Sequence, residues 1–110
     1  MKKLIIQIPA YNEAETLPEV LDDLPRHLEG IANIQVIVID DGSTDNTAQV
    51  ALEHGADFVL RHRNNLGLSR SFISGIQLAL ALSADIIINT DADHQYPGKE
   101  IEHLIQPILA

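Results

Sequence analysis

An α/β fold, with helices on both faces of a mostly parallel sheet, is the class this sequence predicts, and three observations predict it. Short runs rich in β-branched residues alternate with helical stretches along the whole chain. The runs are continuously apolar, as in Ile34-Gln35-Val36-Ile37-Val38-Ile39-Asp40, and such runs belong to parallel strands buried on both faces. Polar clusters follow the first, second and fourth runs, at the strand ends beyond which open α/β sheets bind ligands.

Lys3 to Pro9 reads as the first strand. Thr16 and Glu19 have capping-box spacing for a helix through about Leu24, which Pro25 closes. Ile34 to Asp40 is the second strand; Ser43 or Thr44 then caps a helix to about His54, with Gly55 as its stop. Phe58 to Arg61 is a short third strand, and a helix from about Leu68 to Leu82 follows. Ile86 to Thr90 is the fourth strand. Pro97 can open a last helix containing Ile101, Leu104, Ile105 and Ile108, with Pro107 as a kink or terminator. No internal repeat, linker or low-complexity segment divides residues 1–110, so they read as one unit.

Composition removes several classes of function. A hydrophobic content of 45% over 110 residues is enough for one small core and rules out a disordered chain. The absence of Cys excludes disulfide frameworks, zinc-thiolate sites and thiol redox motifs, so any metal is held by oxygen or imidazole. A formal charge of -9 with only seven Lys and Arg argues against nucleic acid as a partner. An anionic nucleotide could still bind through a bridging cation. Gln7 and Pro9 interrupt the apolar stretch after Met1-Lys2-Lys3 too early for a signal peptide, and nothing approaches the roughly 18 apolar residues of a membrane span. The expected location is therefore cytoplasmic.

The segment Asp91-Ala92-Asp93-His94-Gln95 puts hard oxygen ligands just beyond the fourth strand. Asp91, Asp93 and Gln95 alternate along an extended stretch, which turns their side chains to one side. Mg²⁺ or Mn²⁺ suits such a set, with substrate phosphates completing the coordination. A polar turn ending a strand is the bland alternative. Asp40 and Asp41 admit two readings as well: a capped turn, or a carboxylate aimed into the crevice to accept from a ring N–H or ribose hydroxyl. Tyr11 could cap the core or stack on a base, with Glu13 accepting from it. Arg61, Arg63 and Arg70 surround Asn65-Leu66-Gly67 and could form a solvated loop. Arg70, in the first turn of the next helix, is the member best placed for a phosphate. His94 reads as a crevice residue.

In order, the chain contains Ile8-Pro9-Ala10-Tyr11-Asn12-Glu13, Ile39-Asp40-Asp41-Gly42-Ser43-Thr44-Asp45, Asn65-Leu66-Gly67 and Asp91-Ala92-Asp93-His94-Gln95-Tyr96-Pro97. On these four motifs it resembles a family 2 glycosyltransferase of the Rossmann-like GT-A fold, and within that family the dolichyl- or polyprenyl-phosphate sugar transferases. The resemblance implies a nucleotide-diphosphate sugar donor, a Mg²⁺ or Mn²⁺ ion, inversion at the anomeric carbon and a polyprenyl-phosphate acceptor. It implies that Pro9, Tyr11, Glu13 and Asp41 border the nucleoside, with Asp41 reading the base. Asp91, Asp93 and Gln95 would lie at the metal and diphosphate, the two acids serving catalysis; Arg70, from its place in the first turn of a helix, is the further donor contact expected.

Members of the family run well beyond this length. The resemblance therefore implies that residues 1–110 are the donor-binding half of a truncated enzyme, nearly inactive alone and prone to self-association. The full-length protein would sit at the inner face of a membrane. Two other classes stay open: a noncatalytic nucleotide-binding module, and a phosphate-accepting signalling receiver. The second is disfavoured because its acidic pair follows the first strand, whereas here the pair follows the second. From sequence, Asp41→Asn is expected to weaken nucleoside binding more than it weakens the fold.

Overall fold

The computed structural model describes residues 2–92 and 99–109. Four strands, β1 (Lys2–Ala10), β2 (Ile31–Asp40), β3 (Phe58–Arg61) and β4 (Ile86–Asn89), form one sheet in the order β3-β2-β1-β4. Every pairing is parallel. The helices are α1 (Leu17–Asp22), α2 (Thr47–Glu53), α3 (Leu68–Ala81) and α4 (Lys99–Leu109). The predicted α/β class is the class observed.

Strand alternation divides the core in two. Leu4, Ile6 and Ile8 of β1, with Val36 and Val38 of β2, face a cluster that includes Leu17 and Leu21 of α1, Ala51 of α2, and Ile101 and Ile105 of α4. Ile5, Ile37 and Ile39 point the other way, onto Ala79 and Leu78 of α3. Burial on both faces is why these strands carry no polar alternation. Complete burial of a Leu or Ile side chain is worth about 1.5–3 kcal/mol, so the β1 and β2 residues anchor the fold.

The exception inside β1 is Gln7, fully buried against α3. Its amide donates to Asn89 Oδ1 at 3.1 Å and to the Phe72 carbonyl at 3.4 Å. Gly75 makes room for it, because a Cβ there would collide with Gln7 Oε1 and come within 2.8 Å of Ile39 Cδ1. The contact draws α3 close to the sheet. Leu68, Phe72, Ile73 and Leu80 of α3 remain exposed, and β4 is an outer strand of the described sheet.

Helix starts differ from the sequence expectation. α2 begins at Thr47, after Asn46, so neither Ser43 nor Thr44 caps it. Thr16 precedes α1, but its side chain makes no capping bond. All three hydroxyls are engaged elsewhere. α4 continues through Pro107 to Leu109, so Pro107 does not end it. Pro97 lies outside the described residues.

Register aligns the strand ends. Ala10 is opposite Asp40, and Asp40 is opposite Arg61, so three connections leave the sheet side by side. Gly42 lets two of them touch: its φ is +75°, and a Cβ there would lie 2.6 Å from the Asn65 backbone nitrogen. Gly42→Ala would add a left-handed penalty of about 1–2 kcal/mol to a clash with main chain that cannot rotate away. We expect a stability loss above about 2 kcal/mol in urea unfolding, and a loss below about 1 kcal/mol would contradict this packing.

Candidate functional site

The connections after β1 and β2 are stitched by polar side chains. Asn12 has φ +52°, a conformation Asn tolerates, and its Oδ1 accepts from the backbone nitrogens of Thr44 at 2.8 Å and Asp45 at 3.3 Å. In return, Ser43 Oγ accepts from Asn12 N at 2.9 Å, and Thr47 Oγ1 accepts from Glu13 N at 3.0 Å. Asp45 accepts from both the backbone and the hydroxyl of Thr47. These bonds hold Tyr11 and Glu13 at the carboxyl edge of the sheet.

The adjacent acids of β2 and its loop diverge. Asp40 is fully buried; its Oδ1 accepts from Ser43 N at 3.0 Å, and its Oδ2 lies 3.5 Å from Arg61 Nε. That second contact is an ion pair without hydrogen-bond geometry. Asp41 turns toward the β3–α3 loop. Its Oδ1 accepts from His62 Nδ1 at 2.8 Å and Leu66 N at 2.9 Å, and its Oδ2 accepts from Gly67 N at 2.9 Å.

Burial raises the Asp41 pKa, but the hydrogen bonds from His62, Leu66 and Gly67 and the charge of His62 outweigh it, leaving the carboxyl below its ordinary value of 3.8. Asp41 therefore contributes stability above its unfolded-state pKa and loses that contribution as pH falls through the lower folded-state value. A phosphate-accepting role is poorly served by a carboxylate already holding three N–H donors.

Pro9, Tyr11, Glu13, Asp41 and Asp91 all line one cleft of about 380 Å³, with Gly67, Leu68 and Ser71 completing much of its wall. Five sequence-predicted positions from the carboxyl ends of three strands and the segments that follow them thus converge. Gly67 has φ +98°, and a Cβ there would meet nothing within 4 Å, so the cleft is open beside it. Ser71 Oγ is buried with no hydrogen-bond partner among the described residues. Arg70 is exposed and does not line the cleft.

Asp93, His94, Gln95, Tyr96 and Pro97 lie outside the described residues. Among the described residues no group of three or more acidic or imidazole side chains could hold a metal ion. Asp91 is the described member of the predicted metal trio, and a carboxylate on the cleft wall suits a hard cation. Thr16 lies between the two acidic regions: its Oγ1 is 2.8 Å from Glu13 Oε2 and 2.8 Å from the Ala92 carbonyl.

His62, Ser74 and Thr16 were not singled out as site residues by the sequence. For His62 a signal existed in the register. It follows Arg61 as Asp41 follows Asp40, and those two residues are opposite one another.

Known proteins resemble this chain in sequence or in fold. A dolichol-phosphate mannosyltransferase of Pyrococcus furiosus is 36% identical over 96% of this chain and 30% of its own length. An uncharacterized protein of Methanocaldococcus jannaschii is 38% identical over 97% of this chain and 42% of its own. The crystal structure of Mycobacterium tuberculosis glucosyl-3-phosphoglycerate synthase with Mn²⁺, UDP-glucose and phosphoglyceric acid superposes with a TM-score of 0.78 at 26% identity, covering 99% of this chain and 40% of that one. The chain thus spans less than half the length of these relatives. Residues 5–110 match the family described as glycosyl transferase family 2, and the chain belongs to that family.

Proposed function

We propose that this chain is the donor-binding part of a glycosyltransferase that takes a sugar from a nucleotide-diphosphate donor and passes it, with inversion, to a polyprenyl phosphate. The observation that carries the reading is the convergence of Tyr11, Glu13, Asp41 and Asp91 on one cleft at the carboxyl edge of the sheet. The acceptor is suggested by the name of the Pyrococcus relative. Tyr11, 44% exposed, offers a ring face on which a base can stack. Asp41 is an ionised, acceptor-only group for a donor N–H of the ligand. Gly67 leaves space for a ligand beside the start of α3, and Ser71 supplies an unpartnered hydroxyl. Arg70, exposed and in sequence between the cleft residues Leu68 and Ser71, would approach phosphate from solvent.

Asp91, Asp93 and Gln95 would hold Mg²⁺ or Mn²⁺, which when bound neutralises charge growing on the diphosphate leaving group. A phosphate acceptor is already ionised, so its oxygen can attack the anomeric carbon without a general base from this chain. No helix of the described residues is long and apolar enough to cross a membrane.

Two carboxylates cannot complete a Mg²⁺ or Mn²⁺ shell, so nucleotide and metal should each strengthen the other's binding by the same factor. Calorimetry with UDP and GDP, with and without Mn²⁺, measures this. Asp93→Ala should abolish the coupling with an unchanged circular dichroism spectrum. Nucleotide bound equally well in excess chelator would remove the metal-bridged reading.

Asp41→Asn should weaken nucleotide binding and also cost about 1–3 kcal/mol of stability, because an amide cannot accept from all three N–H groups as a carboxylate does. Parent-like binding by a folded Asp41→Asn protein would exclude Asp41 from the ligand.

The exposed apolar residues of α3 beside the outer strand β4 favour self-association, which sedimentation at rising concentration would detect. A monomer throughout would refute it.

A further inference from the structure

His62 is held at both ring nitrogens. Nδ1 is 2.8 Å from Asp41 Oδ1, and Nε2 is 2.9 Å from Ser74 Oγ. Asp41 is ionised and can only accept, so Nδ1 carries the proton of that bond. In the neutral ring, Nε2 then accepts from the Ser74 hydroxyl. The His62 backbone nitrogen donates to the Asp40 carbonyl at 2.9 Å, which fixes the main chain behind the ring. Ser74 sits in α3 and Asp41 just beyond β2. The row Ser74, His62, Asp41 therefore ties a helix to the sheet edge, beside the cleft.

The donors on Asp41 are unevenly shared. Oδ1 takes two N–H groups, from His62 and Leu66, which fill its two lone-pair directions. Oδ2 takes one, from Gly67. One acceptor direction is left over, on a carboxylate that is 4% exposed and lines the cleft. A carboxylate free to turn about its Cβ–Cγ bond would swing that direction away from its place; the His62 bond, itself directed by Ser74, holds the plane of the carboxylate together with the two loop N–H groups.

We propose that His62 and Ser74 are positioning residues that lock the Asp41 carboxylate so that the spare acceptor direction of Oδ2 meets a ring N–H of a bound nucleotide. The inference rests on the donor-binding reading given above. Neither residue touches the ligand in this scheme; both act through Asp41. The base end of the ligand should feel their loss, and the diphosphate end should not.

The test is calorimetry on the full chain with Mn²⁺, using UDP, GDP and inorganic pyrophosphate. His62→Phe keeps an aromatic ring at the position, although a larger one, and removes both bonds. It should weaken the tighter-bound of UDP and GDP about tenfold, the equivalent of roughly 1.4 kcal/mol, and change pyrophosphate affinity by less than about twofold. The amide nitrogen of His62→Asn occupies the place of Nδ1, so this variant should return the nucleotide to within about threefold of the parent. His62→Gln puts its amide near Nε2 and should not restore binding. Ser74→Ala should fall between the parent and His62→Phe.

The proposal is overturned if His62→Phe binds nucleotide as the parent does, if it loses nucleotide and pyrophosphate equally, or if Asn restores no better than Gln. The Asn and Gln comparison stands even where His62→Phe does not fold. A parent that binds neither UDP nor GDP would instead refute the donor-binding reading. In that event carboxyl NMR decides the positioning claim without ligand. Asp41 should titrate at higher pH in His62→Gln than in His62→Asn, and identical titrations would reject it.

Discussion

Parallel pairing on both sides of β1 is the constraint on which the rest of the molecule depends. Leu4 to Gln7 of β1 are opposite β4, and Leu4 to Ala10 are opposite β2, in uninterrupted register. A slip of one residue would exchange the two faces of the strand, sending Leu4, Ile6 and Ile8 toward α3 and Ile5 and Gln7 toward α1 and α4. Gln7 could not survive that exchange, since its amide partners lie on α3 and β4. Gln7, the fully buried polar side chain of β1, is thus a register mark. It fixes where β1 ends relative to its neighbours, and so where the cleft forms.

The loops at that edge are ordered by carboxylate and amide oxygens that gather backbone N–H groups. Asn12, Asp40, Asp41 and Asp45 each accept from main-chain nitrogens beyond the strands. Such bonds to charged acceptors are stronger than neutral ones, and in a partly buried setting they satisfy donors that a strand or helix would otherwise serve. An acidic composition is thereby put to structural use. Asp40 and Asp41 are held by an arginine, an imidazole and main-chain N–H groups, so burying them does not leave isolated charge in the core.

Strand positions were legible because continuous apolar runs between turn residues have few alternative interpretations; Phe58 to Arg61 was read to the residue. Helix starts were less so. Ser43, Thr44 and Thr16 have the composition of caps, but their hydroxyls bond to segments distant in sequence. Local preference cannot reveal a competing tertiary partner. The cleft residues Tyr11, Glu13, Asp41 and Asp91 were found because each follows a strand, and Pro9 through the motif it shares with the first two of them. His62 was passed over because its significance depends on strand order, with β3 beside β2. Asp93 and Gln95 fall outside the described residues.

The hold of Asp41 on Leu66 and Gly67 bears on how the cleft wall opens. Loop amides ordinarily exchange with solvent in local fluctuations that cost little. Here two successive loop N–H groups end on a buried carboxylate just beyond β2, and the Asn64–Asn65 peptide is packed on Gly42. Freeing them leaves that carboxylate with His62 as its remaining hydrogen-bond donor and lifts the packed peptide off Gly42. The loop is therefore coupled to the sheet edge through these two N–H groups, whose exchange with solvent first breaks bonds to a buried carboxylate.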